Sequence, residues 1–209
     1  MSIKRQTGII LSLGTESKYE IEKLLKKLDK SMDALYLKNT LIIRESTQII
    51  KALKNIIKEN GSSKPIIVDY RMDQEDVDEI EEITELLESE GANAMTIMGV
   101  YDESFVKFCI KHSKIQLFSI IDVGLSSFKV RFSDASIVQN ALFAQNNKCS
   151  GIVMTSRYMM RIRKVRDATL GFPILAIIEK EDEVGSTLPF GSDFEIVSGQ
   201  LLRRKVKLQ

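Results

Sequence analysis

A few short stretches of this 209-residue chain carry side chains with the chemistry to hold or transform a ligand. The densest is Val68-Asp69-Tyr70-Arg71-Met72-Asp73-Gln74-Glu75-Asp76. In an extended segment every second residue shares a face. Asp69, Arg71 and Asp73 are therefore expected side by side, two carboxylates flanking a guanidinium, as a charge array for a ligand or as a structural ion-pair network. Tyr36-Leu37-Lys38 places Tyr36 and Lys38 on one face, with Lys38 able to reach out as a ligand cation or to stand solvated. In Thr155-Ser156-Arg157-Tyr158 two hydroxyls precede a helical pattern bearing Arg161, Arg163, Lys164 and Arg166. Hydroxyls and free N–H groups at a helix start can bind phosphate, and Thr155 or Ser156 can equally serve as an N-cap. His112, Cys109 and Cys149 fall away from strand ends and are not placed for catalysis.

These residues depend on the elements that carry them. Apolar runs rich in Ile and Val recur at Gly8–Leu13, Ala34–Leu37, Pro65–Val68, Ala94–Met98, Gln116–Ile121, Gly151–Met154, Pro173–Ile178 and Phe194–Val197. Most are continuous rather than alternating, as strands of a parallel sheet covered on its outer face read. Between them lie helical spacings such as Ile21, Leu24, Leu25, Leu28 and Ile49, Ile50, Leu53, Ile56, Ile57. Further helical patterns fall at about 77–87, 103–112, 134–145 and 157–168. Thr15 and Ser46 are candidate N-caps, and Gly61 and Gly91 candidate C-terminal caps. Strand and helix alternate, which predicts a (β/α)8 TIM-type barrel occupying 1–209 as a single domain. Residues 179–192 hold Pro189 and two glycines, so the seventh helix is expected to be reduced to a turn or loop.

Composition bounds the function. With 30 Lys+Arg against 29 Asp+Glu, the formal charge of +1 supplies no broad footprint for nucleic acid or an anionic membrane. Two cysteines, with no Cys-x-x-Cys, make neither a disulfide framework nor a zinc site, and a cytoplasmic setting is the default. The near-zero charge is a cancellation. Residues 72–90 hold acidic groups and no Lys or Arg, whereas the helical stretches before them carry Lys23, Lys26, Lys27, Lys30, Lys51, Lys54 and Lys58. The acidic stretch is either a solvated face or a partner surface.

Three stretches, Ser150 to Leu175, Asp193-Phe-Glu-Ile-Val-Ser-Gly199 and Ile67-Val-Asp69-Tyr-Arg71, resemble the orotidine 5'-phosphate decarboxylase superfamily, which includes the hexulose-phosphate synthases. The order of segments is similar along nearly the whole chain. The resemblance implies a barrel homodimer that binds a ligand phosphate beside the last two strands and uses an Asp-x-Lys-x-x-Asp array after strand three. Asp69, Arg71 and Gln74 stand at those positions, with Asp73 one place early. The family's lysine protonates a carbanion. An arginine can hold an anion but is a poor proton donor. The family's strand-one Asp falls at Gly14 and its strand-two Lys at Tyr36, with Lys38 one pleat further out. Its phosphate loop is replaced by Ile178-Glu179-Lys180-Glu181-Asp182, and its closing Gly-Arg by Gly199-Gln200.

The expectation is thus an orotidylate decarboxylase-like barrel in which Asp69, Arg71, Asp73 and Lys38 line the catalytic position and Tyr36, Thr155, Ser156, Gly199 and Gln200 the substrate position, with the parent reaction lost or altered. It needs no cofactor. The partner expected is a phosphorylated small molecule, with neither nucleic acid nor membrane. One alternative is a lyase or aldolase on another phosphorylated sugar, with Asp69 and Asp73 on Mg²⁺ and Lys38 as acid. Another is a non-catalytic dimeric binding protein.

Overall fold

All eight apolar runs become strands, each within a few residues of its expected bounds: β1 Ile9–Leu13, β2 Ala34–Lys38, β3 Ile66–Met72, β4 Ala94–Met98, β5 Gln116–Ile120, β6 Gly151–Thr155, β7 Ile174–Ile177 and β8 Phe194–Ser198. This is a computed structural model, describing residues 3, 5–73, 77–99, 103–122 and 133–202. Gln74 and the basic positions after Leu202 lie outside those residues. The strands are parallel and close in sequence order, β8 pairing back onto β1. The chain therefore folds as a (β/α)8 barrel.

The strands read as continuous apolar runs because both of their faces are buried. Ile10, Ala34, Ile67, Phe118, Val153, Leu175 and Ile196 fill the barrel's interior, and Leu11, Leu35, Val68, Met95, Ile152 and Val197 belong to the larger core beneath the helices. The helices are α1 Lys18–Leu28, α2 Asn39–Glu45, α3 Gln48–Glu59, α4 Ile80–Ser89, α5 Glu103–His112, α6 Asp134–Asn146 and α7 Met159–Ala168. On α3 the buried stripe is Ile49, Ile50, Leu53 and Ile57. Each such aliphatic side chain contributes about 1.5–3 kcal/mol when fully buried. The short α2 was hidden in the sequence, where Asn39–Glu45 shows too brief a pattern to count.

The caps are partly as expected. Gly61 and Gly91 follow α3 and α4 at φ 75° and 99°, the left-handed conformation in which glycine ends a helix without strain. Thr15 does not cap α1. Ser17 does, in a capping box with Glu20, because its hydroxyl reaches the third helical N–H while Glu20 reaches back. Ser46 lies one residue ahead of the α3 N-cap, Thr47, and its hydroxyl accepts from Gln48 N at 3.4 Å.

The crossover from β7 to β8 has no full helix, only single 3-10 turns at Glu181–Glu183 and Leu188–Phe190. Its anchor is Glu195 on the outer face of β8, fully buried, which accepts from Gly185 N, Thr187 N and Thr187 Oγ1 at 2.5, 2.9 and 2.7 Å. One buried carboxylate thus organises a loop where a helix would otherwise cover the strand. Among the described residues no helix is long and apolar enough to cross a membrane.

Candidate functional site

In a closed parallel barrel the side chains that converge at the C-terminal strand ends come from many different elements, and that is where chemistry is assembled. Register fixes the set. Ser12 of β1 pairs with Tyr36 of β2 and Ser198 of β8, and Lys38 pairs with Asp69 of β3. Alternation from the interior residues Ile10, Ile120, Val153 and Ile177 brings Ser12, Asp122, Thr155 and Glu179 to the same mouth.

On the β1 to β4 side the charges are closed on each other. Arg71 Nε and Nη2 donate to Asp69 Oδ1 and Oδ2, both at 3.0 Å, in a bidentate pair. Asp69 is buried, Arg71 is 40% exposed, and Thr96 Oγ1 donates a further bond to Asp69 Oδ1 at 3.2 Å. Burial opposes the guanidinium's charge, yet the Asp69 bonds and charge hold it above its ordinary range. It is a fixed cation.

The expected alternation of Asp69, Arg71 and Asp73 does not hold. Arg71 adopts φ 59°, and the β3–β4 register shifts between Val68 and Met72. The irregularity turns Met72 into the outer core opposite Ile97, so Arg71 folds back over Asp69 while Asp73 leaves the strand. Arg71 N, freed from the ladder, donates to Thr96 Oγ1 at 3.0 Å. Both Asp69 oxygens are thus engaged, so a Mg²⁺ shared with Asp73 would have to displace the guanidinium. Among the described residues no group of three His, Cys, Asp or Glu side chains forms a metal cluster.

Tyr36 is buried within the interior below this pair; among the described residues neither its hydroxyl nor Ser12 Oγ makes a hydrogen bond of good geometry, although the Tyr36 hydroxyl lies close enough to Asp69 and Thr96 to feel both. Burial, then the Asp69 charge, raises the Tyr36 pKa far above its usual value, so it stays a proton-bearing donor. Lys38 is exposed and makes no ion pair among the described residues. Its stem crosses Gly14, where a Cβ would stand 2.9 Å from Lys38 Cδ, so a side chain at 14 would push the lysine aside.

On the β5 to β7 side the pattern reverses. Thr155 Oγ1 donates to Glu179 at 3.4 Å, Ser156 Oγ to Glu183 at 2.9 Å and Arg157 Nη2 to Glu179 at 3.0 Å. The hydroxyls expected to meet a phosphate are therefore turned onto carboxylates. Asp122 accepts from Thr155 N at 2.7 Å through Oδ1, while its buried Oδ2 has no partner among the described residues. Burial lifts this carboxyl to about 7, against the pull of the Thr155 N–H and of the Arg161 charge. It changes charge near neutral pH.

Gly199 and Gln200 directly follow the C-terminal end of β8. Gly199 opens the helical turn 199–202 behind β8 and faces Leu24 of α1, and Gln200 is exposed. His112 stacks on Phe108 at the end of α5, and burial pushes the Cys109 and Cys149 thiols up to about 12. A cavity of about 220 Å³ lies at the opposite end of the barrel, lined by Ile3, Gln116, Phe118, Pro173, Leu175 and Phe194 among others, and is largely apolar. Sequence reasoning missed Ser12, Thr96 and Asp122. Asp122 had a legible signal, an acid directly after the fifth apolar run, at a strand end.

Solved structures share this architecture. Orotidine 5'-monophosphate decarboxylase from Metallosphaera sedula aligns with a TM-score of 0.74 at 17% identity, over 92% of this chain and 88% of that one. The likeness is one of fold. A 3-hexulose-6-phosphate synthase aligns at 0.69 and 15% identity, over 92% and 90% of the two chains, and an uncharacterized conserved protein from Geobacillus kaustophilus at 0.68 and 14%, over 96% and 98%. No family model and no curated protein matches the sequence. The neighbours whose functions are stated belong to one superfamily, the same that the three sequence stretches resemble.

Proposed function

We propose that this chain is a divergent barrel of the orotidylate decarboxylase superfamily whose mouth binds a small polar molecule and does not carry out cofactor-free decarboxylation of orotidylate. The observation that carries the reading is the bidentate Asp69–Arg71 pair. A decarboxylase of this kind needs an acid that delivers a proton to the carbanion. Arg71 stands where the family's lysine is expected, its charge held in place by Asp69, and a guanidinium releases its proton too weakly for that role. It can still bind an anionic group through its exposed side.

A binding role fits the rest of the mouth. Among the described residues the buried hydroxyls at Ser12 and Tyr36 make no well-formed hydrogen bond, and such groups cost stability unless something else meets them. Lys38, exposed over Gly14, adds a mobile cation at the rim. The test is orotidylate decarboxylation followed by absorbance. No turnover above the buffer rate is expected; enzyme-like turnover that Asp69→Ala abolishes would overturn the reading.

A further inference from the structure

Two hydroxyls and a guanidinium at the end of β6 converge on acids supplied by the chain itself. Ser156 Oγ donates to Glu183 Oε2 at 2.9 Å, Thr155 Oγ1 to Glu179 Oε1 at 3.4 Å and Arg157 Nη2 to Glu179 Oε2 at 3.0 Å. Thr155 and Ser156 are buried, so their hydroxyls have little recourse to solvent. Such a donor set suits an oxyanion.

The position of these acids is built into the fold. Glu183 closes the 3-10 turn Glu181–Glu183, and Gly185, just beyond it, is tied to the fully buried Glu195 through its N–H. Thr187 adds its N–H and hydroxyl to the same carboxylate, and bonds Ser192 at 2.8 Å. Glu179 lies two residues past the end of β7 and is held from both sides, by Thr155 and by Arg157. Its charge in turn raises the Arg157 pKa, first through their hydrogen bond. The one cation of this donor set is thus already paired with an acid of the chain.

We propose that Glu179 and Glu183 are specificity-determining residues: tethered anions that fill the donor set of Thr155, Ser156 and Arg157, so the mouth accepts ligands that carry no phosphate at this edge. The proposal rests on the reading of the mouth as a ligand site and concerns only its β6–β7 edge. A phosphate entering here would meet two carboxylates and would have to break every bond that now satisfies the hydroxyls. Glutamine at these positions keeps the shape and one acceptor oxygen while removing the charge. The donor set should then be open to a free anion.

The experiment titrates inorganic phosphate into isotope-labelled protein and follows the backbone amide signals of Thr155, Ser156 and Arg157. Wild type should show no saturable shift up to about 20 mM, whereas Glu179→Gln/Glu183→Gln should saturate with an apparent Kd at least about tenfold lower than that limit. Saturable binding by wild type would overturn the proposal, and so would a double variant as silent as wild type. Glu183→Gln alone, which disturbs one hydroxyl contact, is the second protein should the double variant not fold, and is expected to give a smaller saturable shift. Asp167→Asn, which removes a charge at the other end of α7, should stay silent; a response equal to that of Glu183→Gln would reduce the effect to net charge and overturn the assignment. Orotidylate turnover would sink the reading of the mouth without altering these shifts, so the two failures are separable.

Discussion

The two sides of the barrel mouth satisfy their polar groups in opposite ways. Between β1 and β4 the buried carboxylate of Asp69 is matched by Arg71, and it is the hydroxyls of Ser12 and Tyr36 that make no well-formed bond among the described residues. Between β5 and β7 the hydroxyls of Thr155 and Ser156 are matched, and it is a carboxyl oxygen, on Asp122, that is left over. The consequence is electrostatic. One side holds a guanidinium whose positive charge Asp69 reinforces, while the other carries an acid that burial pushes up to about 7. Surplus polar capacity on both sides of one opening is costly to a folded chain, and such costs concentrate where ligands bind.

The largest expected effect breaks the titrating side. Burial places the native Asp122 pKa at about 7, above its ordinary 3.8. A raised native pKa means that the carboxyl's contribution to stability is complete below about pH 4 and is lost as pH rises to about 7, by about 1.4 kcal/mol per unit. Asp122→Asn should therefore match wild type in urea unfolding near pH 4 and exceed it at pH 8 by about 4 kcal/mol. Equal stability at both pH values would remove the asymmetry between the two sides.

The next effect breaks the matched pair. Arg71→Ala leaves a buried carboxylate with only the Thr96 hydroxyl, and should cost about 2–3 kcal/mol in urea unfolding at pH 7. A loss below about 0.5 kcal/mol would mean the pair is a solvent-screened contact. The smallest effect sharpens the contrast. Tyr36→Phe deletes a buried hydroxyl that makes no well-formed hydrogen bond among the described residues, so stability should stay within about 1 kcal/mol of wild type or rise. A loss of 2 kcal/mol or more, on the order of a buried hydrogen bond to a charged group, would show that the hydroxyl is structurally engaged.

Much of the scaffold could be read directly from the chain. Continuous Ile/Val runs such as Pro173–Ile178 marked strands because a parallel barrel strand buries both faces, and Pro189 with its flanking glycines marked the missing helix between β7 and β8. The site was legible in its membership and not in its geometry. Asp69 and Arg71 pair, but the left-handed backbone at Arg71, which breaks the expected array with Asp73, is set by tertiary pairing with β4, which alternation along one strand cannot reveal. Thr155 and Ser156 read as phosphate ligands because their eventual partners, Glu179 and Glu183, are distant in sequence and come from an irregular crossover. Thr96 and Ser12 sit inside apolar runs, where a single hydroxyl gives no local sign of its neighbours.

The central claim is that a barrel of this architecture, with its β3 charge pair closed, holds a ligand without decarboxylating orotidylate. It is tested most directly by a single-turnover experiment with protein in excess over orotidylate labelled at the departing carboxyl carbon. Wild type is expected to release labelled carbon dioxide at the rate of the buffer blank. Release that is faster than the blank in wild type and is abolished by Asp69→Ala would contradict it.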